Sequence, residues 1–316
     1  MTSPRRSTPA APAPADRAVP CTSDTRAGSA PRKIYPPDPV AVERVVAAAL
    51  AEDLAGGDPT SEGLFGPDDM CEAVLLQKEP GVVCGLGVVA TVFAALDARV
   101  VVADSHSDGD VVDDVPAELA RISGPARAVL AGERTALNLA ARLSGIATLA
   151  ARCVAELEGT GATLLDTRKT TAGLRELEKY AVRCGGACNH RFNLGEALLV
   201  KDNHLRLAGG LAQAVARLHE AQSRLRLEVE AATLDEVRDA LRAGVNRILL
   251  DNMTVDQMRE AVTLCHAASG AVETEASGGI TLANLRAVGQ TGVDYISMGA
   301  LTHSSRALDF SLEVLA

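Results

Sequence analysis

From residue 163 onward, short apolar runs alternate with helical patterns, and this alternation constrains the fold more than any other feature of the chain. The runs cover 164–166, 197–201, 225–230, 247–251, 272–276 and 293–298, and helical patterns fill 207–221, 234–243, 255–267 and 282–288. Strands separated by helices predict βα units and a parallel sheet. Each run leads into a polar or small residue, namely Arg168, Lys201, Glu230, Asp251, Ser277 or Gly299. In a (β/α) barrel such strand ends converge on one mouth, whereas an open doubly wound sheet offers one crevice at its switch point, so six ends of this kind favour the barrel.

The densest polar stretch is 163–204, where Leu164-Leu165 runs into Asp166-Thr167-Arg168-Lys169-Thr170-Thr171 and Leu198-Leu199-Val200 into Lys201-Asp202-Asn203-His204. Any one of these cations read alone is a surface charge. Their repetition just after buried-type runs points to a site for carboxylates or phosphates. The net charge of −10 makes general affinity for nucleic acid or an anionic membrane an unsuitable explanation, so an anionic ligand needs a local cationic pocket. Aromatics make up 2% of the chain, too few for a base-stacking platform.

Before residue 130 the pattern is α+β. Residues 1–35 are rich in Pro, Ala, Ser and Thr without a hydrophobic period and read as a disordered arm. A helix is expected over 40–54, strand and turn structure over 73–83, a helix over 88–96 and a turn at Asp108-Gly109-Asp110. Gly132 opens a long helical pattern to about residue 158 that contains Gly145, which marks either a break or a tight packing point. Seven cysteines, an odd count with no apolar secretory segment, are expected as free thiols in the cytoplasm; Cys184, Cys188 and His190 lack a fourth ligand for structural zinc. No apolar run is long enough to span a membrane.

Two chemical roles are separable. Arg134, Arg168, Lys169, His190, Arg191 and Lys201 supply anion-holding groups, while Glu230 and Asp251 offer carboxylates that coordinate Mg²⁺, hold sugar hydroxyls or face a developing positive charge. On the strand carrying Glu230, period-two alternation puts Arg226, Glu228 and Glu230 on one face, with Glu228 lower and paired to a cation such as Arg226. Ser277-Gly278-Gly279-Ile280 and Met298-Gly299-Ala300 are either ordinary turns or places where backbone N–H groups approach a phosphate.

Taken in order, Gly132-Glu133-Arg134-Thr135-Ala136-Leu137-Asn138, Asp166-Thr167-Arg168-Lys169-Thr170-Thr171, Asn189-His190-Arg191, Lys201-Asp202-Asn203-His204, Glu228-Val229-Glu230, Asp251-Asn252 and Glu275-Ala276-Ser277-Gly278-Gly279 resemble quinolinate phosphoribosyltransferase, a type II phosphoribosyltransferase family. The resemblance covers about residues 40–315 and departs at Ala172, where many members have proline. It implies an N-terminal α/β sandwich domain (36–143), an incomplete (β/α) barrel as catalytic domain (144–304) and a return to the first domain (305–316).

The implied enzyme is a pentosyl (glycosyl) transferase of NAD biosynthesis that joins quinolinate to 5-phosphoribosyl 1-pyrophosphate, releasing nicotinate mononucleotide, pyrophosphate and CO₂. By the same resemblance Arg134, Arg168, His190, Arg191 and Lys201 surround the dicarboxylate, with Thr167 and Lys169 in the same segment. Glu230 and Asp251 lie near the ribose and Mg²⁺, and Ser277, Gly278, Gly279, Met298, Gly299, Ala300 and His303 hold the 5-phosphate. Lys201, Glu230 and Asp251 are the expected catalytic groups, and a homodimer or larger homo-oligomer shares its sites between subunits. A related molybdenum-operon protein has a similar fold, but the joint presence of Arg134, His190, Arg191 and Lys201 disfavours it. A non-catalytic sensor of phosphorylated ligands has no need of paired carboxylates beside two anion sites.

Overall fold

The structure is a computed structural model that describes residues 34–221, 225–268 and 272–315; all but Ile34 and Tyr35 of the expected N-terminal arm lies outside them. Helix α1 (Pro39–Asp53) begins where Asp38 accepts the Val40 N–H and proline takes the first turn, and it buries Val42, Val46 and Leu50 as one stripe. After α2 (Pro59–Leu64) come β1 (Met70–Gln77), β2 (Gly81–Val82), α3 (Leu86–Leu96), β3 (Val101–Asp104), β4 (Val111–Val112) and β5 (Ala117–Pro125). The elements expected here are present with ends shifted by a few residues.

The chain then enters α4 (Ala126–Glu156), a single unbroken helix that starts well before Gly132. Pro125 stands at its N-cap, and Ala126 to Ala131 are mostly strong helix formers, so the helix begins as soon as the strand ends. Gly132 is interior because a Cβ there would stand 2.8 Å from the Phe93 ring. Gly145 marks tight packing, not a break, since a Cβ would overlap the carbonyl of Arg306 on the returning chain. That return ends in β12 (Phe310–Val314), which pairs antiparallel with β1 and completes a four-stranded sheet ordered β12-β1-β5-β3.

Beyond α4 the chain builds β6 (Thr163–Leu165), α5 (Arg175–Cys184), β7 (Leu198–Val200), α6 (Asp202–Ala208), α7 (Leu211–Ala221), β8 (Leu227–Ala231), α8 (Leu234–Ala243), β9 (Arg247–Asp251), α9 (Val255–Ala267), β10 (Glu273–Ser277), α10 (Leu282–Gly289), β11 (Tyr295–Ser297) and α11 (Ala300–His303). The helix expected over 207–221 is split into α6 and α7 because Gly209 and Gly210 both adopt positive φ, 88° and 115°. Six strands form one parallel sheet, β6-β11-β10-β9-β8-β7. Strands β6 and β7 are its two ends, and a bridge from Leu165 to Cys188 extends the β6 side, so the barrel is incomplete.

Residues facing the helices, among them Val229, Ile248, Leu250, Ala276 and Ile296, belong to the main apolar core. The opposite face is polar. In register, Glu228, Arg247 and Glu273 form one layer, Glu230, Leu249, Glu275 and Tyr295 the next, and Asp251 and Ser277 the layer at the strand ends. A barrel centre is ordinarily filled by branched apolar residues. Here the interior holds charges beside a small separate cluster of Leu165, Cys188 and Tyr295.

Candidate active site

The site starts at the end of β6. Asp166 is fully buried and accepts hydrogen bonds from Lys179 Nζ (2.5 Å), Asn189 Nδ2 (2.7 Å) and the His190 N–H (2.8 Å). Burial pushes Asp166 up and Lys179 down, while their mutual attraction opposes both shifts. Three converging donors are what a buried carboxylate needs, so this pair fixes the 189–191 loop against the strand end. Lys179 sits on the buried side of α5 and was not singled out in the sequence; a lysine at an inward helical position opposite a strand-end aspartate is the signal that marks it.

Two guanidinium groups follow from that anchor. Arg191 donates to the Ala197 carbonyl (2.9 Å), and burial, then the positive charge of Arg168, holds its pKa below the usual arginine value. Arg168 has a buried Nε with no hydrogen-bond partner among the described residues. Lys201 follows β7 directly and its Nζ lies 2.5 Å from Glu230 Oε1, as expected from the neighbouring β7–β8 register. Glu230 also lies within the field of Arg191. Arg191 thus lies in the fields of Arg168 and Glu230, and Glu230 is bonded to Lys201.

Lys169, Gly299 and His303 form a second group. A Cβ on Gly299 would stand 2.9 Å from Lys169 Cδ and 3.1 Å from His303 Nε2, so both side chains lie over the glycine backbone. The Lys169 N–H donates to Thr167 Oγ1 at 3.0 Å, the Met298 N–H to the Leu165 carbonyl at 3.0 Å, and Ala300 opens α11. On the neighbouring strand ends, Asn252 (φ 54°) donates from its side chain to Asp251 Oδ2 at 3.0 Å and from its backbone to the Ser277 carbonyl at 2.9 Å. Gly278 (φ 85°) has no room for a Cβ because Asn252 packs there, and Gly279 completes the turn before α10.

His190 points elsewhere. Its Nδ1 accepts the Arg191 N–H at 2.7 Å, and its Nε2 lies 3.3 Å from Glu228 and 3.5 Å from Glu275. Burial is the largest influence on the imidazole and pushes its pKa down, but the two carboxylates outweigh it and leave the value raised. Burial and the charge of Glu228 push Glu275 up to about 7, while burial of Glu228 is outweighed by His190 and Arg247, which hold it low. Arg247 bonds Glu275 (3.0 Å) and Glu273 (2.9 Å) and stacks 3.9 Å over the Tyr295 ring. Arg226 bonds Glu273, not Glu228, which corrects the expected pairing: the two glutamates share a layer, and Glu228 faces the imidazole instead.

His190, Glu228 and Glu275 are the described group with converging metal-type ligand atoms. With Arg247 already on Glu275 and Arg226 on Glu273, three carboxylates meet three cations once His190 is protonated, which leaves no charge for a metal to balance. Cys184 lies against Cys84, and the converging group around His190 includes neither Cys184 nor Cys188 among the described residues. Cys71, Cys84, Cys153, Cys184 and Cys265 are free, whereas Cys188 is disulfide-bonded, correcting the expectation of free thiols throughout. Arg134 is exposed on α4 and makes no ion pair or hydrogen bond among the described residues. No helix among the described residues is long and apolar enough to cross a membrane.

A cationic mouth at barrel strand ends, with glycine turns after the last two, defines an enzyme that handles carboxylated and phosphorylated anions. Residues 58–144 match the N-terminal domain, and 146–313 the C-terminal domain, of quinolinate phosphoribosyl transferase. A Bacillus subtilis (strain 168) protein described as a probable nicotinate-nucleotide pyrophosphorylase [carboxylating] is 43% identical over 264 residues, 83% of this chain and 90% of that protein. A Nicotiana tabacum protein described as quinolinate phosphoribosyltransferase [decarboxylating] 1b is 39% identical, covering 85% of this chain and 81% of its own. A solved nicotinate-nucleotide pyrophosphorylase from Francisella tularensis superposes with a TM-score of 0.84 at 37% identity, covering 90% of this chain and 99% of that one. The chain belongs to the quinolinate phosphoribosyl transferase family.

Proposed function

We propose that this chain transfers the phosphoribosyl group of 5-phosphoribosyl 1-pyrophosphate to quinolinate with loss of CO₂, giving nicotinate mononucleotide and pyrophosphate. One observation carries the acceptor assignment: Arg168 keeps a buried Nε without a partner beside the partly buried Arg191. An open, buried guanidinium donor beside a second, partly buried guanidinium calls for an anion with more than one carboxylate. Lys201 adds a third cation at the same strand-end level, and His190 supports the pair through the Arg191 backbone.

Lys169 and His303 over Gly299, with the Ser277 to Gly279 turn and the 298–300 turn, support the 5-phosphate end of the donor. Glu230, held by Lys201, supports the ribose as its anomeric carbon gains positive charge. Asp251 stands on the same face one layer nearer the strand ends. Both carboxylates are oxygen donors of the kind Mg²⁺ takes, and the ion would neutralise the departing pyrophosphate. Attack by the pyridine nitrogen then leaves a cationic ring whose positive nitrogen stabilises the electron pair left on C2 as CO₂ departs, and a proton from solvent takes the place of the 2-carboxylate.

The domain division near residue 143, a cytoplasmic location and a homodimer with shared sites belong to the same reading. The exposed, unpaired Arg134 supports the last, as a cation lent to a second copy. The test is incubation of the full chain with quinolinate, 5-phosphoribosyl 1-pyrophosphate and Mg²⁺. Equal amounts of nicotinate mononucleotide and CO₂, absent when Mg²⁺ is chelated, are expected; no mononucleotide with active substrate controls would refute the assignment.

A further inference from the structure

Arg142 has no part in the resemblance that singled out the site residues. It sits on α4, its side chain 25% exposed, and its guanidinium holds three segments at once. Nη2 donates to Glu178 Oε1 at 2.8 Å and to the Thr302 carbonyl, and Nη1 donates to the Ser305 carbonyl at 3.1 Å. Glu178, whose side chain is 0% exposed, in turn accepts the Thr171 N–H (3.0 Å) and the Thr171 hydroxyl (2.7 Å). Thr302 Oγ1 donates to the Lys169 carbonyl at 2.8 Å. The bonds close a ring running from Arg142 through Glu178 to Thr171, back along the chain to Lys169, across to Thr302 and home to Arg142.

The ring holds one ligand-type group and adjoins another. Lys169 is in the ring, and His303 directly follows Thr302, and both side chains lie over Gly299. The helix face around Arg142 grips the same returning segment at two further points: the Leu308 N–H bonds the Ala141 carbonyl, and Gly145 admits the Arg306 carbonyl. Those two contacts hold the return to α4 but do not reach the 169–171 loop. Arg142 and Glu178 do.

We infer that Arg142 is a positioning residue for the phosphate end of the donor site, acting through Glu178 and Thr302 to keep Lys169 and His303 together over Gly299. This rests on the reading that Lys169 and His303 hold the phosphoribosyl donor. A guanidinium fork suits the task because it delivers fixed, simultaneous bonds to a carboxylate and to two carbonyls, which one ammonium cannot reproduce.

Steady-state kinetics on Arg142→Gln, varying each substrate separately, should show KM for the donor raised about tenfold with KM for quinolinate within about twofold, the scale of one lost charge-assisted hydrogen bond. Arg142→Lys should recover part of the thermal stability and little of the donor KM. Because Arg142 acts through Lys169, the double variant Arg142→Gln/Lys169→Ala should be no worse toward the donor than Lys169→Ala alone. If Arg142→Gln does not fold, Thr302→Val removes the hydroxyl's bonds to the Lys169 and Gly299 carbonyls, leaves the bond from Arg142 to the Thr302 carbonyl, and should raise the donor KM in the same direction by less. Equal rises in both KM values, or additive effects in the double variant, would overturn the inference. Hydrogen exchange without substrate separates the two layers: faster exchange at Thr171 and across 300–305 in Arg142→Gln supports the clamp, and unchanged exchange refutes it. Faster exchange with an unchanged donor KM would instead refute the donor assignment of Lys169 and His303.

Discussion

Two sets of charges stand a few residues apart on the same barrel, and they are built to opposite rules. In the interior, His190, Glu228, Glu275, Arg247, Glu273 and Arg226 set charge against opposite charge, and Glu275 and Arg247 have neighbours of opposite sign on more than one side, while Glu228 Oε1 and Glu275 Oε1 accept no hydrogen bond among the described residues. At the mouth, Arg168 and Arg191 repel each other, an Arg168 donor is buried without a partner among the described residues, and Arg191 is only partly offset by Glu228, Glu196 and the Lys201-bonded Glu230. Paired burial of charge serves the fold. Unpaired burial of like charge costs stability and is retained where a ligand supplies the missing anion.

The sharpest way to break this contrast is to remove one interior charge. Arg247→Met leaves Glu273 and Glu275 facing each other in the barrel, and should lower unfolding free energy by roughly 3–5 kcal/mol, the usual effect of breaking a buried pair from one side. Denaturant titration would show it, and a midpoint equal to wild type would mean the interior network is not what holds the barrel.

Next, a mouth cation removed should do the reverse. Arg168→Ala should cut kcat/KM for quinolinate by the equivalent of roughly 2–5 kcal/mol while leaving the melting temperature unchanged or higher, because a repulsive neighbour of Arg191 is gone. Lys201→Ala should act mainly on quinolinate and Asp251→Ala on Mg²⁺-dependent use of the donor; identical defects toward both substrates would erase the distinction between them.

The mouth is also completed from outside, on the reading of Arg134 as a lent residue. Arg134→Ala and Lys201→Ala, each nearly inactive, should regain activity when unfolded and refolded together. Random pairing leaves about a quarter of sites intact, since half the dimers are mixed and each has one unaltered site. Activity that stays at the level of the separate variants, in a sample with mixed dimers seen by mass spectrometry, would confine the site to one chain.

The smallest expected effect is in the pH dependence of stability. Glu275 titrates at about 7 when folded against an ordinary value of 4.5, so the folded state holds the extra proton between those limits and stability falls as pH rises through them. His190, raised above 6.5, contributes stability that is full below 6.5 and lost as pH rises through its folded value, in the same direction. Glu275→Gln should reduce the slope between pH 5 and 7 by up to about 1 kcal/mol per pH unit. An unaltered slope would show that Glu275 is ionised throughout.

The parallel barrel was legible because strand and helix periods differ and because each strand ended in a polar or small residue. The single helix α4 was harder to delimit, since Gly132 and Gly145 look like boundaries until Phe93 and the Arg306 carbonyl are seen against them. Arg168 and Lys201 could be read from their place just after apolar runs, whereas Arg191 came from its charge type and the family resemblance. The direction of His190 could not be read, because Glu275 lies 85 positions away and its layer is fixed only by the β9–β10 register. Arg142 escaped for the same reason: its partners sit on α5 and beyond β11.

The most direct test of the unpaired mouth is its choice between pyridine acids. Measured in one assay with saturating donor and Mg²⁺, kcat/KM for quinolinate should exceed that for nicotinate by at least about a hundredfold, because one carboxylate leaves part of the Arg168, Arg191 and Lys201 cluster without an anion. Comparable values for the two acids would contradict the account.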